Sequence, residues 1–429
     1  MPPSPQDRPF WLAVAACTAV GAALRLYGLD VQSLWHDELF VAWAAGQATL
    51  SEAVRVGAIE DVHPPLYAIG MFGWTRLAGD SEVALRLPSA VAGALGVPWL
   101  AALGARWSSQ RAGLAAAALG AVAWMPVYYA QEGRPYAWLL LGTVALADAA
   151  SRALDAPTAR RLGAVAAVSL LLAWLHYFGL LMAALALGAG CAHAIRTGRG
   201  GARWAATALG VALGVAPWGV ALAGQVARGE VWIPPPRWRD VAHLYAAMGN
   251  GSLLGLVAVL GAGALAARRG SPAVLGLVAW ATVPVAAALA VSWTVLPVFT
   301  ERNLIVALPA VLLLGGMALA AVDEAWARGW PIATGAVCAW LAVDLVVVRD
   351  YYDVPTKWQY REVARAVVDD AGGREEVLVI SGAWHPSYFD HYLVPLGGPR
   401  VDVTAHGPDE IGAAVAASDA AIAYVTVPV

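Results

Sequence analysis

The sequence predicts an all-α polytopic membrane bundle with interfacial helices in its first outer loop and a small C-terminal α/β domain. Three observations carry this. Charged residues make up only 13% of the 429 residues, about half the share of a soluble domain. Hydrophobic residues reach 60%, more than a soluble chain can bury, and disorder has the opposite signature. Apolar runs long enough to cross a bilayer recur along the chain up to residue 349, and none follows.

The runs fall at 10–27, 86–105, 112–129, 135–150, 162–176, 178–195, 204–223, 250–267, 272–292, 304–321 and 330–348, eleven spans in all. The first, preceded by Asp7-Arg8, is too long for a signal sequence and has no small-residue cleavage site before Trp35-His36-Asp37-Glu38. A shorter apolar stretch, 64–79, contains Arg76. It is expected to lie at the outer interface, because arginine placement alternates only if it does not cross. One set of short loops carries Arg106, Arg111, Arg152, Arg160, Arg161, Arg196, Arg199, Arg203, Arg268, Arg269 and Arg328. The other carries Arg134, Arg228, Arg237, Arg239 and Arg302. Cytoplasmic loops hold the excess. The N-terminus is therefore expected in the cytoplasm, and residues 28–85, 130–134, 224–249, 293–303 and the C-terminal segment outside it, in a plasma membrane such as the bacterial inner membrane. Many of the 20 tryptophans fall near span ends, Trp107, Trp218, Trp293 and Trp330 among them, as an interfacial belt requires.

Residues 1–349 thus read as the membrane domain, with 28–85 as its first outer loop, and 350–429 as an extracytoplasmic domain. In the latter an amphipathic helix is expected at 357–371, strands at 376–381, 400–404 and 420–427, and helices at 386–396 and 408–418, alternating as in a parallel sheet. No Gly-rich phosphate loop is present. A net charge of −3 is too near zero to advertise nucleic-acid binding, and no nucleic-acid partner is expected. Cys17, Cys191 and Cys338 lie apart in apolar runs and imply neither disulfide nor zinc site.

Chemistry concentrates at the outer ends of the spans. Asp37-Glu38 sits just beyond the first span, flanked by Trp35 and His36, and the loop closes with His63-Pro64-Pro65-Leu66-Tyr67. A partly desolvated carboxylate is a stronger base; a solvated acidic pair capping a helix is the alternative. The second outer turn reads Gln131-Glu132-Gly133-Arg134-Pro135-Tyr136. Arginine suits a phosphate diester in apolar surroundings, and Glu132 is a candidate ligand for a divalent cation such as Mg or Mn on that phosphate; a local Glu132–Arg134 pair is the alternative. His176-Tyr177 and Glu301-Arg302, also at outer span ends, are candidate phosphate partners or ordinary interfacial residues. Arg86 is expected to be structural. Asp148 near Arg152 and Asp344 near Arg349 read as pairs at helix ends, so the spans lack the midplane charges of a transporter.

In this order, Arg25, Asp37-Glu38, His63-Pro64-Pro65-Leu66-Tyr67, Arg86-Leu87-Pro88-Ser89-Ala90 and Gln131-Glu132-Gly133-Arg134-Pro135-Tyr136, over about residues 20–140, the sequence resembles the glycosyltransferase 39 type. That group includes the protein O-mannosyltransferases and is similar to the aminoarabinose transferases acting on lipid A, all of the GT-C fold. The resemblance implies a polyprenyl-phosphate-linked sugar donor and an extracytoplasmic acceptor hydroxyl, for which an inverting single displacement is the expected reaction. It places Asp37 at the family's catalytic acid position with Glu38 completing the pair, and His63 near the donor phosphate. Glu132 and Arg134 stand in a turn where many protein mannosyltransferases are expected to carry Asp, and the β-trefoil insertion of eukaryotic members is lacking. Two other classes remain at this stage: a flippase for a lipid-linked sugar, and a non-catalytic cell-envelope scaffold.

Overall fold

The computed structural model describes residues 7–60, 63–228, 233–253, 256–257, 260–261, 264, 271–322, 326, 328–372, 377–405, 407–418, 420 and 422–426. They form two compact units: residues 1–27, 55–67 and 87–349, and residues 28–54, 68–86 and 350–429. Residues 350–429 share their unit with two stretches of the first loop, 28–54 and 68–86.

The larger unit is helical. Eight helices of the described chain are long and apolar enough to cross a membrane, from Arg8–Leu26 to Gly329–Val348, and the protein is a multi-pass membrane protein. Ala159–Leu175, read as a span from sequence, is a helix of 17 residues. The expected span 250–267 lies largely outside the described residues. Leu66–Ala78 has 13 residues, about 20 Å at 1.5 Å per residue, and is too short to cross. One expectation needs correcting. The span read as continuous over 112–129 is two pieces, Gln110–Val122 and Trp124–Gln131, bent by 60°. Pro126 supplies the cause: it has no N–H, and its ring would collide with the Val122 carbonyl if the helix continued.

The break frees carbonyls at the end of Gln110–Val122, and Arg25 takes them. Its Nη1 donates to Ala121 O and to Gly21 O, 2.9 Å each, and its Nη2 to Gly120 O at 2.7 Å. Arg25 is 1% exposed. A Cβ on Gly93 would come within 3.0 Å of its Nε, so the glycine makes room for the guanidinium. Small residues also let spans touch backbone to backbone, as membrane packing requires. A Cβ on Gly113 would stand 2.3 Å from Ala101 O, and one on Gly316 2.4 Å from Ala112 O. Gly113→Val should therefore push Glu82–Trp107 off Gln110–Val122, read as loss of the monodisperse peak on size exclusion in detergent; a wild-type profile would refute the close approach. Both end-of-helix pairs expected from sequence are present, Arg152–Asp148 at 2.9 Å and Arg349–Asp344 at 2.7 Å.

The smaller unit has a three-stranded parallel sheet, β1 (Val377–Ser381), β2 (Val403–Thr404) and β3 (Ile422–Thr426), in the order β2-β1-β3. Ile380 pairs with Val403, and Val377 with Ile422. All five residues of β1 are buried, as a central parallel strand requires. Helix Tyr360–Ala371 buries Tyr360, Ala364, Val367 and Ala371 on one stripe and stops at Gly372 (φ +55), where only glycine adopts that conformation without strain. Ser387–Leu393 and Pro408–Ala416 complete the α/β alternation. All six elements expected at 357–427 form, with ends trimmed by a few residues. The helix His36–Ala45 and the stretch Ala68–Arg86 fold into the same unit.

Burial lowers the pKa of His391 in this unit, against the opposing charges of Asp80 and Glu82. A histidine whose folded pKa is depressed adds stability above its unfolded value of about 6.5, and loses it as pH falls through the folded one. The smaller unit should therefore melt at lower temperature at pH 5 than at pH 7, and the difference should shrink in His391→Gln; equal shifts in both proteins would refute the assignment.

Candidate active site

In the smaller unit the first loop is organised by Arg86. All five of its N–H donors are used. Nε donates to Glu38 Oε1 at 2.7 Å and Nη2 to Glu38 Oε2 at 2.6 Å. Nη1 donates to Leu29 O (2.7 Å) and Gln32 O (2.8 Å), and Nη2 also to Ser33 O (2.9 Å). Arg86 thus gathers the turn 29–33 and the carboxylate at the start of His36–Ala45 around one planar fork, which lysine could not do. Glu38 Oε2 also accepts the Trp35 N–H at 3.3 Å, closing the first helical turn. Glu38 is fully buried, and Lys357 Nζ lies 3.7 Å from its Oε1. Asp37, one residue earlier, is only half-buried.

The C-terminal stretch packs along this turn residue by residue. Thr356 N donates to Gln32 Oε1 at 3.0 Å, and Ser33 Oγ to Trp358 O at 2.8 Å. The His36 ring sits edge-on to Trp358 and to Tyr388, 5.7 and 4.9 Å away. Trp43 stacks on His385 at 4.1 Å. Tyr392 OH accepts the Leu34 N–H (2.7 Å) and donates to Glu82 (3.0 Å). Burial first, and then the Asp37 charge, pushes the Tyr360 phenol up; burial and then Glu82 do the same for Tyr392. Both stay protonated. The buried Tyr360 hydroxyl has no hydrogen-bond partner among the described residues.

The larger unit holds the remaining candidates. Arg134, 4% exposed, reaches the His63 Nδ1 with its Nη2 at 3.3 Å. A guanidinium only donates, so His63 accepts at Nδ1 and its own proton sits on Nε2. The His63 and His176 rings are 4.8 Å apart. His176 caps the helix Tyr177–Thr197: its Nδ1 accepts the Phe178 N–H at 3.1 Å, which puts its proton on Nε2 as well. Tyr177 OH donates to Gln225 and accepts from Trp218 Nε1 at 3.0 Å. Gln225 Nε2 in turn donates to Ala58 O at 3.2 Å.

His63, His176, Tyr177 and Gln225 line one cavity of about 270 Å³, and Arg134 stands behind His63, outside that lining. Its polar side is His63, His176, Tyr177, Gln225, Arg228 and Arg302; its apolar side is Leu222, Val226, Val291 and Val295–Val298. Among the described residues no carboxylate lines it, so the polar side favours an anion and the wall a hydrocarbon. Glu132 is 1% exposed and sits in the turn after Gln131, whose amide donates to Tyr27 O at 2.7 Å. Burial raises the Glu301 carboxyl, with His243 and Arg349 opposing. Among the described residues no three of His, Cys, Asp or Glu come together as a metal group. The side chains present do not make a protein-only cation site around Glu132, and no chemical step is assigned to a metal.

Sequence reading missed Lys357, Arg228 and Gln225 as site residues. Lys357 carried a usable signal: it is the only lysine beside 26 arginines. Arg228 was counted only as a loop charge, and nothing local marks Gln225.

The fold has counterparts among solved structures. No family model and no curated protein matches the chain. Among solved structures it is similar to ArnT from Cupriavidus metallidurans in the apo state (TM-score 0.61, 14% identity, 96% of this chain and 88% of that one). It is also similar to the same protein bound to undecaprenyl phosphate (TM-score 0.57, 14% identity, 98% and 90%). A third is the Archaeoglobus fulgidus oligosaccharyltransferase in complex with Zn and sulfate (TM-score 0.53, 11% identity). This chain covers 93% of itself in that match but spans 62% of the archaeal protein's length.

Proposed function

We propose that this protein is a membrane glycosyltransferase that moves a sugar from a polyprenyl-phosphate-linked donor to an extracytoplasmic acceptor hydroxyl. The supporting observation is the cavity of about 270 Å³ that joins His63, His176, Tyr177 and Arg302 to a hydrocarbon-lined wall. It suits a phosphate with a lipid tail, and the likeness in fold to a protein solved with undecaprenyl phosphate agrees. On this reading the outer loops face the extracytoplasmic side and the N-terminus the cytoplasm.

The reaction is a single inverting displacement. The acceptor oxygen forms its bond to the anomeric carbon as the bond to the phosphate oxygen breaks. Asp37 takes the acceptor proton; the polyprenyl phosphate leaves with the electron pair. Arg302 and Arg134, together with the Nε2–H groups of His63 and His176, meet the charge that develops on the leaving phosphate. Glu38, held by Arg86, fixes the first turn of the Asp37 helix.

The test is transfer of radiolabelled sugar from a synthetic polyprenyl phosphate donor by the purified protein, with donor binding measured separately. Arg302→Met should raise the donor Kd at least about tenfold, by loss of one charge-assisted contact. Unchanged donor binding in Arg302→Met would remove the cavity from the reaction. Movement of the lipid-linked sugar across vesicles without any transfer would replace the transferase with a flippase.

A further inference from the structure

We propose that Lys357 is a positioning residue for the Asp37–Glu38 turn, an ammonium that works through the Glu38 carboxylate. The proposal rests on the transferase reading for its kinetic arm alone. Arg86 already meets both oxygens of Glu38, at 2.7 and 2.6 Å, and the pair is 2% and 0% exposed. Charge neutrality at Glu38 therefore needs no second cation. Yet Lys357 Nζ stands 3.7 Å from Oε1 with its side chain 3% exposed. Burying another ammonium carries a desolvation cost of several kcal/mol, which a site kept only for packing would avoid with Met or Leu. Every other cationic side chain of the chain is arginine. Arginine at 357 would bring a second wide fork to a carboxylate already engaged by one; the compact ammonium approaches a single oxygen.

The neighbours of Lys357 show what is being held. Thr356 and Trp358 bond Gln32 and Ser33, the His36 ring rests on Trp358, and Tyr360 is near enough to feel the Asp37 charge. Residues 356–360 therefore form a strap along 32–38, and Lys357 ties it ionically to Glu38 in the turn that carries Asp37. Without the tie the strap keeps its neutral bonds, and the Asp37 carboxylate loses its fixed bearing. The tie acts on orientation, so its loss reads in turnover rather than in donor affinity.

Two arms test this. In the kinetic arm, Lys357→Met should lower kcat about a hundredfold, the effect of a misplacement near 1 Å. The donor KM should stay within about twofold, and Lys357→Arg should recover part of the loss. Lys357→Met at wild-type kcat overturns the proposal. So does an equal fall in Met and Arg variants that tracks an equal fall in melting temperature, which marks packing alone. The second arm needs no sugar transfer. With one lysine in the chain, an amine-reactive ester labels only Lys357 and the N-terminal amine, and peptide mass spectrometry separates them. Glu38→Gln should speed acylation of Lys357 several-fold at pH 8; an unchanged rate overturns the tie. If the wild-type protein transfers no sugar from any polyprenyl phosphate, the transferase reading fails, and the acylation arm alone decides the fate of Lys357.

Discussion

Asp37→Asn is expected to lower sugar transfer by about two to four orders of magnitude, the contribution of a positioned general base, while the protein remains folded. Asparagine keeps the shape of the side chain and its place in His36–Ala45 but cannot take a proton. Donor binding should be unchanged, because the cavity with His63, His176 and Arg302 contains no residue of the 28–54 stretch. Turnover at pH 7 compared with the wild type, alongside a donor titration, checks both halves. Full turnover in the variant would end the role of Asp37 as base. Loss of donor affinity together with turnover would show that the substitution damaged the fold or the donor site.

The second large effect concerns stability. Arg86→Met should cost the smaller unit about 3–5 kcal/mol, the usual penalty for stripping one partner from a buried ion pair. Glu38 would then lie in the interior without the fork, the ammonium of Lys357 standing 3.7 Å away, and the carbonyls of Leu29, Gln32 and Ser33 would lose this donor. Glu38→Gln should be milder, because the amide oxygen still accepts one bond from the fork. Protease protection of the loop 28–45 in detergent, followed by thermal melting, separates the two. Equal protection in Arg86→Met and wild type would contradict the geometry. The same network predicts that truncation after Arg349 does more than remove a terminal domain. It takes away Lys357, the Trp358 carbonyl, Arg361 and Tyr392, all of which tie to the first loop or to Glu82. Loss of activity on such a truncation would therefore carry no information about acceptor binding.

What could be read from sequence divides by range. The alternation of 357–427 follows local periodicity, and every strand and helix there formed. The spans follow hydropathy, which needs only one segment at a time. The break at Ala123 was local too, since Pro126 marks it, but an apolar run hides a proline that composition tolerates. The ion pair at the centre of the smaller unit was out of reach: Arg86 and Glu38 lie 48 positions apart, and Lys357 reaches Glu38 from beyond the whole helical bundle. Pattern reading assigned Glu38 a place beside Asp37 because the two are adjacent. Helical geometry then turned neighbouring side chains in different directions, one into the interior and one toward its edge. His63, Arg134 and His176 were singled out one by one. That two imidazoles and a guanidinium would touch, with both ring protons fixed by what the other nitrogen accepts, needed coordinates.

The strap has a consequence in time. The turn at 32–38 is made early in synthesis, while its closing partners lie some 324 positions later. At ordinary translation rates the ribosome takes on the order of 15–60 s to cover that distance. During that interval the nascent loop lacks Lys357, Trp358 and Tyr392 and stands open. The turn at 32–38 is therefore closed only after residues 356–392 have been made and have docked.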